Sequence, residues 1–378
     1  MGPLAGIRVL EIKGIGPGPY AGMLLADLGA EVVVVERSSN HRGVALPSQY
    51  DPNSRGKKSI ALDLKNPDGL QTLLQLVEQA DVLFEGYRPG VAERLGFGPD
   101  VCLERNPRLI FGRITGWGQT GPLAQAAGHD INYISLTGSL AAIGHANQPV
   151  VPLNLIGDYA GGSLFLVMGI LAALIEVQKS GRGQVIDAAM TDGSASLMTM
   201  FHGLSQLNAW TNKRHANMLD GGAHYYDVYE TQDGKFVSIG SIEPQFYALL
   251  IEQTGIDPDL FAGQHDATQW PRLKQILADV FKTKTQHQWC QIMEGTDVCF
   301  APVLNFSEAS SHPHNQARRT YINIDGIEQP APAPRFSRTQ AETPAPPPAE
   351  GADTEAVLAA WGFDAERIAT LRRRGALS

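Results

Sequence analysis

Cysteine is scarce. The chain holds three, Cys102, Cys290 and Cys299, an odd number without metal-ligand or redox spacing. A disulfide framework is excluded, and free thiols in a reducing compartment are expected. Basic charge is also in deficit: 30 Lys and Arg face 39 Asp and Glu, a formal net charge of −9. This argues against a nucleic-acid-binding surface as the main business, although a local basic cluster can still hold a phosphate. No basic-then-apolar segment opens the chain, so no signal peptide is expected. The final GALS matches a peroxisomal tail poorly, and a cytoplasmic protein is expected. Internal repeats are missing. Long apolar runs are missing too, apart from YAGGSLFLVMGILAALIEV (159–177). That run contains Gly161, Gly162 and Ser163, ends near Glu176 and has no flanking aromatic belt. A fully buried core helix is expected there, not a membrane span.

What is present suits a soluble enzyme. The 378 residues are 43% hydrophobic and 18% charged, enough for two domains or one large one. Strand-like IRVLEI (7–12), EVVVVE (31–36), VLFEGY (82–87) and RLIFGRI (108–114) alternate with helix-like YAGMLLADLGA (20–30) and LQTLLQLVEQA (70–80). That alternation predicts a parallel sheet and an α/β fold. After the apolar run, Gly181 makes a helix stop. A polar, glycine-rich stretch (211–223) reads as a linker. Residues 225–302 read as a smaller α+β unit with a hairpin turning at Asp233-Gly234 and helices at 244–255, 269–281 and 285–295. TPAPPPAEGA (343–352) is a proline linker. The expected organisation is a large domain over 1–185 completed by 330–378, a linker over 186–224, a small domain over 225–302 and a return linker over 303–329.

The glycine turn GIGPGPYAG (14–22) between the first strand and helix raises a dinucleotide reading. The best fit to the motif is Gly16-Pro-Gly18-Pro-Tyr-Ala21. The motif works by aiming backbone N–H groups at a pyrophosphate, and Pro17 and Pro19 have none. Glu36 stands where a ribose-binding acid belongs, but Arg37 follows at once and suits a phosphate better. A tight strand-to-helix turn without NAD is the reading these residues support.

Several stretches together carry a more specific signal: GPGPYAGMLLADLGAEVVVVER (16–37), FEGYRPGVAERLG (84–96), GRITGWGQTGP (112–122), AGHDINYISLTG (127–138), PLNLIGDYAGGSLFLVMGILAAL (152–174) and GQVIDAAMTDG (183–193). In this order they resemble the class III CoA-transferase superfamily, and within it the racemase branch. The resemblance runs from Gly2 to the proline-rich linker. It implies a Rossmann-like large domain that binds coenzyme A, a smaller α+β domain and an interlocked homodimer. Arg37, Arg88 and Arg94 match positions along the CoA groove, and the stretch 54–65, with Arg55, Ala61 and Asp63, matches a segment passing over the adenine and pyrophosphate. A basic track of this kind suits a trianionic ligand, with arginine as bidentate phosphate partner. No metal, no separate cofactor, no nucleic acid and no membrane partner is implied, since the acyl-CoA substrate itself carries the coenzyme.

Both branches of the superfamily use an aspartate at the position of Asp158. In the transferases it is a nucleophile that becomes acylated; in the racemases it is one of two acid/base groups. The racemase branch has His at the position of His129, where transferases commonly have an aromatic. The stretch 240–247, GSIEPQFY, carries Glu243 where transferases have a mobile glycine run. The implied activity is 1,1-proton transfer on a 2-methylacyl-CoA thioester through an enolate. His129 and Asp158 would flank the stereocentre, and Glu243 would orient His129. Asp158 is expected at the positive N-terminal end of the apolar helix, whose first amides would stabilise the enolate oxygen. Met190, Met198, Met200 and Met218 read either as plain core or as an adaptable acyl surface. A CoA-transferase with Asp158 as nucleophile is the alternative, and a non-catalytic acyl-CoA-binding protein is the third reading.

Overall fold

A computed structural model describes residues 2–36 and 50–377. Six strands, Arg8–Ile12 (β1), Glu31–Glu36 (β2), Lys58–Ala61 (β3), Val82–Glu85 (β4), Ile110–Thr115 (β5) and Gln184–Ala189 (β6), form one parallel sheet in the order β3-β2-β1-β4-β5-β6. Alternation along the strands decides what each face buries. Leu10, Val33, Leu83 and Phe111 point to one core, closed by helices Pro67–Val77 and Pro99–Arg105 and by the C-terminal helices Thr354–Ala360 and Ala365–Arg373. Val9, Val32, Val82 and Ile110 point to the other, closed by helices Pro17–Asp27 and Phe165–Ser180. A parallel sheet buried on both faces reads as continuous apolar runs, which is why EVVVVE shows no polar alternation.

The chain forms two units, one from residues 1–137, 153–197 and 321–378, the other from 138–152 and 198–320. The second unit has a three-stranded antiparallel sheet of Tyr226–Glu230 (β7), Phe236–Gly240 (β8) and Phe300–Val303 (β9), with β8 in the centre. The hairpin at Asp233-Gly234 is as expected, with Gly234 at φ +71°, and the helices fall at Pro244–Thr254, Trp270–Phe281 and Gln286–Met293.

The boundaries differ from those expected. Residues 186–224 are not a plain linker: they hold most of β6 and the helices Met190–Leu197 and Thr199–Gln206. The polar stretch 211–223 is ordered around Asn217, 4% exposed, which bonds Thr211, Lys213 and Asp220. Residues 303–329 contain two short helices and most of the hairpin Tyr321–Ile324/Ile327–Pro330. Polar composition hid this order because side-chain-to-backbone bonds supply it.

The apolar run also departs from expectation. It begins as a π-helix, Leu155–Leu164, and continues as the α-helix Phe165–Ser180. Together they are long and apolar enough to cross a membrane by length and composition. Leu166, Val167 and Ile170 are buried on the sheet, but Leu164, Met168 and Ile175 are 48%, 57% and 63% exposed. The helix is therefore buried on one face only.

Candidate active site

A cavity of about 590 Å³ opens in the first unit, above the carboxyl ends of β1, β4 and β5. β1 leads to β2 on one side of the sheet and β4 leads to β5 on the other. The cavity thus sits at the topological switch point, where such folds bind ligands. The glycine turn forms one wall. Gly16 is the N-cap of helix Pro17–Asp27 at φ +70°, a conformation that favours glycine, and Pro17 follows at the first helical position. A Cβ on Gly16 would stand 3.2 Å from Asp158 Oδ2. The turn lets the backbone come close to this carboxylate.

His129 and Asp158 line the same cavity. His129 is exposed and is the N-cap of helix Asp130–Ser135; its N–H donates to Asn132 Oδ1 at 3.1 Å. Behind it, Tyr133 packs edge-on against Trp117, and its hydroxyl donates to Gly128 O. Asp158 lies in the first turn of the π-helix. π-helical turns are rare and recur at functional sites. This one is clamped from below: Ser163 Oγ lies 2.7 Å from Pro17 O and 3.0 Å from Asp158 O. Small Gly161 lets helix Met190–Leu197 cross closely at Gly193 and Ser194.

The electrostatics centre on two carboxylates. Burial pushes the Asp158 carboxyl above the ordinary carboxylate range; the Asn154 hydrogen bond and His129 pull it down, and Asp130 pushes it up. Asn154 Nδ2 donates to Asp158 Oδ2 at 3.2 Å. Asp130, missed in the sequence reading although it follows His129 directly, is 6% exposed. Its Oδ2 accepts the Asp158 N–H at 2.7 Å. This narrows the expectation for the enolate: the Asp158 amide is already taken by Asp130 and is not open to a substrate oxygen. No local signal marks Asp130, because its partner lies 28 residues along the chain.

Arg88 reaches the cavity wall. Its side chain is exposed and makes a long 3.5 Å contact to Gln125 O. Arg94 is exposed on helix Val91–Leu95 and is not among the cavity-lining residues. Arg55 differs from expectation. It is 2% exposed, and its guanidinium donates to Asp27 at 2.6 and 3.2 Å, to Gln329 and to Pro330 O. Its charge is neutralised inside the protein, so it presents none to a phosphate. Ala61 is fully buried, with its N–H donating to Thr354 Oγ1; Asp63 is half-buried and accepts the Lys65 N–H. Arg37 lies outside the described residues. Glu243 belongs to the second unit as the N-cap of helix Pro244–Thr254. Among the methionines, Met190 lines the cavity, Met218 packs against the core of the second unit and Met200 is 53% exposed. Among the described residues no group of three His, Cys, Asp or Glu has the arrangement of a metal site.

Residues 4–354 match the family model described as CoA-transferase family III. Over 372 residues the chain is 45% identical to an α-methylacyl-CoA racemase of Mus musculus, covering 97% of this chain and 96% of that one. It is 44% identical over 374 residues to the protein of that name from Homo sapiens, covering 97% and 95%. Among solved structures, a CaiB/BaiF family protein from Brucella suis superposes with a TM-score of 0.82, covering 95% of this chain and 99% of that one. At 24% identity this last likeness speaks for the fold. The family model and the full-length relatives agree, and the chain belongs to CoA-transferase family III.

Proposed function

We propose that the protein is an isomerase that inverts the stereocentre of 2-methylacyl-CoA thioesters. The observation that carries this reading is that His129 and Asp158 line one cavity at the switch point of the sheet. Relatives of 44–45% identity named α-methylacyl-CoA racemase support it.

In this reading one group removes the Cα proton and the bonding electrons move onto the thioester oxygen, giving an enolate. The other group returns a proton to the opposite face, the enolate electrons re-form the Cα–H bond, and the carbonyl is restored. Each turnover leaves the proton on the group that began without it, and exchange with solvent resets the pair. His129 is exposed, which suits that exchange. Imidazole is the side chain most often used as acid and base at neutral pH. The raised proton affinity of Asp158 lets a carboxyl serve as its counterpart. Arg88 would engage a phosphate or the pantetheine arm of coenzyme A at the mouth of the cavity. The family resemblance assigns Glu243 to orienting His129.

The exposed apolar face of the helix Phe165–Ser180 supports the further proposal of a homodimer, because a surface of this kind calls for a cover. A monomeric mass in solution would contradict it.

Substitution of either proposed acid/base group tests the reading. His129→Ala and Asp158→Ala are each expected to lower inversion by roughly 10²–10⁴-fold, while acyl-CoA binding survives. With one base left, exchange of the proton on one face persists while inversion fails. Near wild-type inversion in either variant removes that residue from the pair. The alternative, a CoA-transferase in which Asp158 is acylated, draws on family membership and the same cavity-lining carboxylate. Acyl-CoA-dependent inactivation by hydroxylamine or borohydride, mapped to Asp158, would favour it.

A further inference from the structure

We propose that Asp130 is the positioning residue for Asp158: its buried carboxylate pins the π-helical turn and sets a negative charge beside the neighbouring carboxyl. The inference rests on the racemase reading above.

The pinning is visible in the geometry. Asp130 Oδ2 accepts the Asp158 N–H at 2.7 Å. A Cβ at position 157 would come within 2.6 Å of Oδ2, so the glycine admits the carboxylate. An amide at a helix start needs an acceptor, and a neutral Asn would serve. Asp130 holds more than that. Its Oδ1 is buried without a hydrogen-bond partner among the described residues. An uncompensated buried oxygen of this kind is costly, and its charge is felt by what lies beside it.

What lies beside it is Asp158. The groups acting on that carboxyl are Asn154 from the helix start, and His129 and Asp130 from the N-terminus of helix Asp130–Ser135. Gly16 approaches from the turn after β1. Tyr133 feels Asp158, Arg88 and Asp130, but burial dominates and keeps its phenol neutral. Of these neighbours, Asp130 raises the proton affinity of Asp158, while Asn154 and His129 lower it.

The chemistry gives that push a purpose. In a two-group inversion the acid and the base exchange roles every turnover. An ordinary aspartate and an ordinary imidazole differ by about 2.6 pKa units, so the proton would rest almost wholly on the histidine. A negative neighbour of Asp158 narrows this gap.

Asp130→Asn tests this, with Asp130→Ala alongside. Asn keeps the shape and an acceptor for the Asp158 amide and removes the charge. The pH profile of kcat/KM for Cα inversion is measured from about pH 5 to 9, with circular dichroism and melting as controls. Asp130→Asn is expected to fold and to change KM by less than roughly threefold. It should lower kcat/KM at neutral pH by roughly tenfold or more, equally in both directions, as the unchanged equilibrium requires. The acidic limb should move to lower pH, because losing a negative neighbour lowers the proton affinity of Asp158. A wild-type rate and profile in Asp130→Asn overturns the inference. A loss of rate with an unmoved acidic limb also overturns it, reducing Asp130 to a cap. If Asp130→Ala fails to fold, Asp130→Asn still decides the question. A wild-type chain that exchanges no Cα proton overturns the functional reading and this inference together. That result is distinct from an active wild type with an indifferent Asp130→Asn.

Discussion

Arg88 stands at the cavity wall with its guanidinium exposed and a single long contact to Gln125 O. In the proposed reading a side chain so placed contributes binding and takes no part in the proton transfer. Arg88→Ala is therefore expected to raise KM for the CoA ester and to leave kcat less affected, the pattern of lost uniform binding. A charge-assisted contact contributes about 1.5–3 kcal/mol, or roughly ten- to a hundredfold in affinity. Steady-state kinetics with a single acyl-CoA check it; a kcat defect at unchanged KM would contradict it. At this scale the sequence is legible where residues stand in a recognisable context: His129 and Asp158 could be named from it, and both line one cavity. Asp130 was not legible, because its role depends on a backbone 28 residues away. Nor was the fate of Arg55, whose charge is met by Asp27 across the fold.

Among the elements, the segment after β4 carries Arg88 and is held by a buried charge network. Arg113 on β5 bonds Glu85 on β4 at 3.0 Å and reaches Glu93 on helix Val91–Leu95 with both terminal nitrogens, at 2.8 and 3.1 Å. Glu85 is fully buried, and its other oxygen accepts the Tyr87 N–H at 2.5 Å. Burial pushes the Glu85 carboxyl up, while Tyr87 and Arg113 pull it back. Arg113→Ala leaves that carboxylate without its cation, a loss of about 3–5 kcal/mol, and loosens the loop bearing Arg88, so KM should rise as well. The sign with pH follows. In the variant the folded-state pKa of Glu85 lies further above its unfolded value. The penalty is full at high pH and shrinks as pH falls through the folded pKa. Urea unfolding of Arg113→Ala at several pH values measures this; a deficit that is small or that grows on acidification would contradict it. The strands and the Asp233-Gly234 hairpin were legible from periodicity and turn chemistry. The π-helix was not: an apolar run with small residues has no feature that separates a π-turn from an α-turn, and the crossing at Gly161 and Gly193 is a tertiary fact.

At the scale of the molecule, six parallel strands in the order β3-β2-β1-β4-β5-β6 create a crevice between β1 and β4, and the chain places an imidazole and a carboxyl in it. The bounds of the units were not legible, because polar linkers and folded polar segments have the same composition. The apolar helix was expected to be buried on all sides, and it is buried on one; sequence reports that a face is apolar, not what covers it. The central claim is that the cavity moves a proton across a carbon centre and does not pass an acyl group to Asp158. Incubating the wild-type chain in D₂O with one enantiomer of a 2-methylacyl-CoA, and no second carboxylic acid present, tests it most directly. The expected result is deuterium at Cα with loss of optical purity. Retained configuration with no deuterium, together with CoA transfer once a carboxylic acid is added, would contradict it.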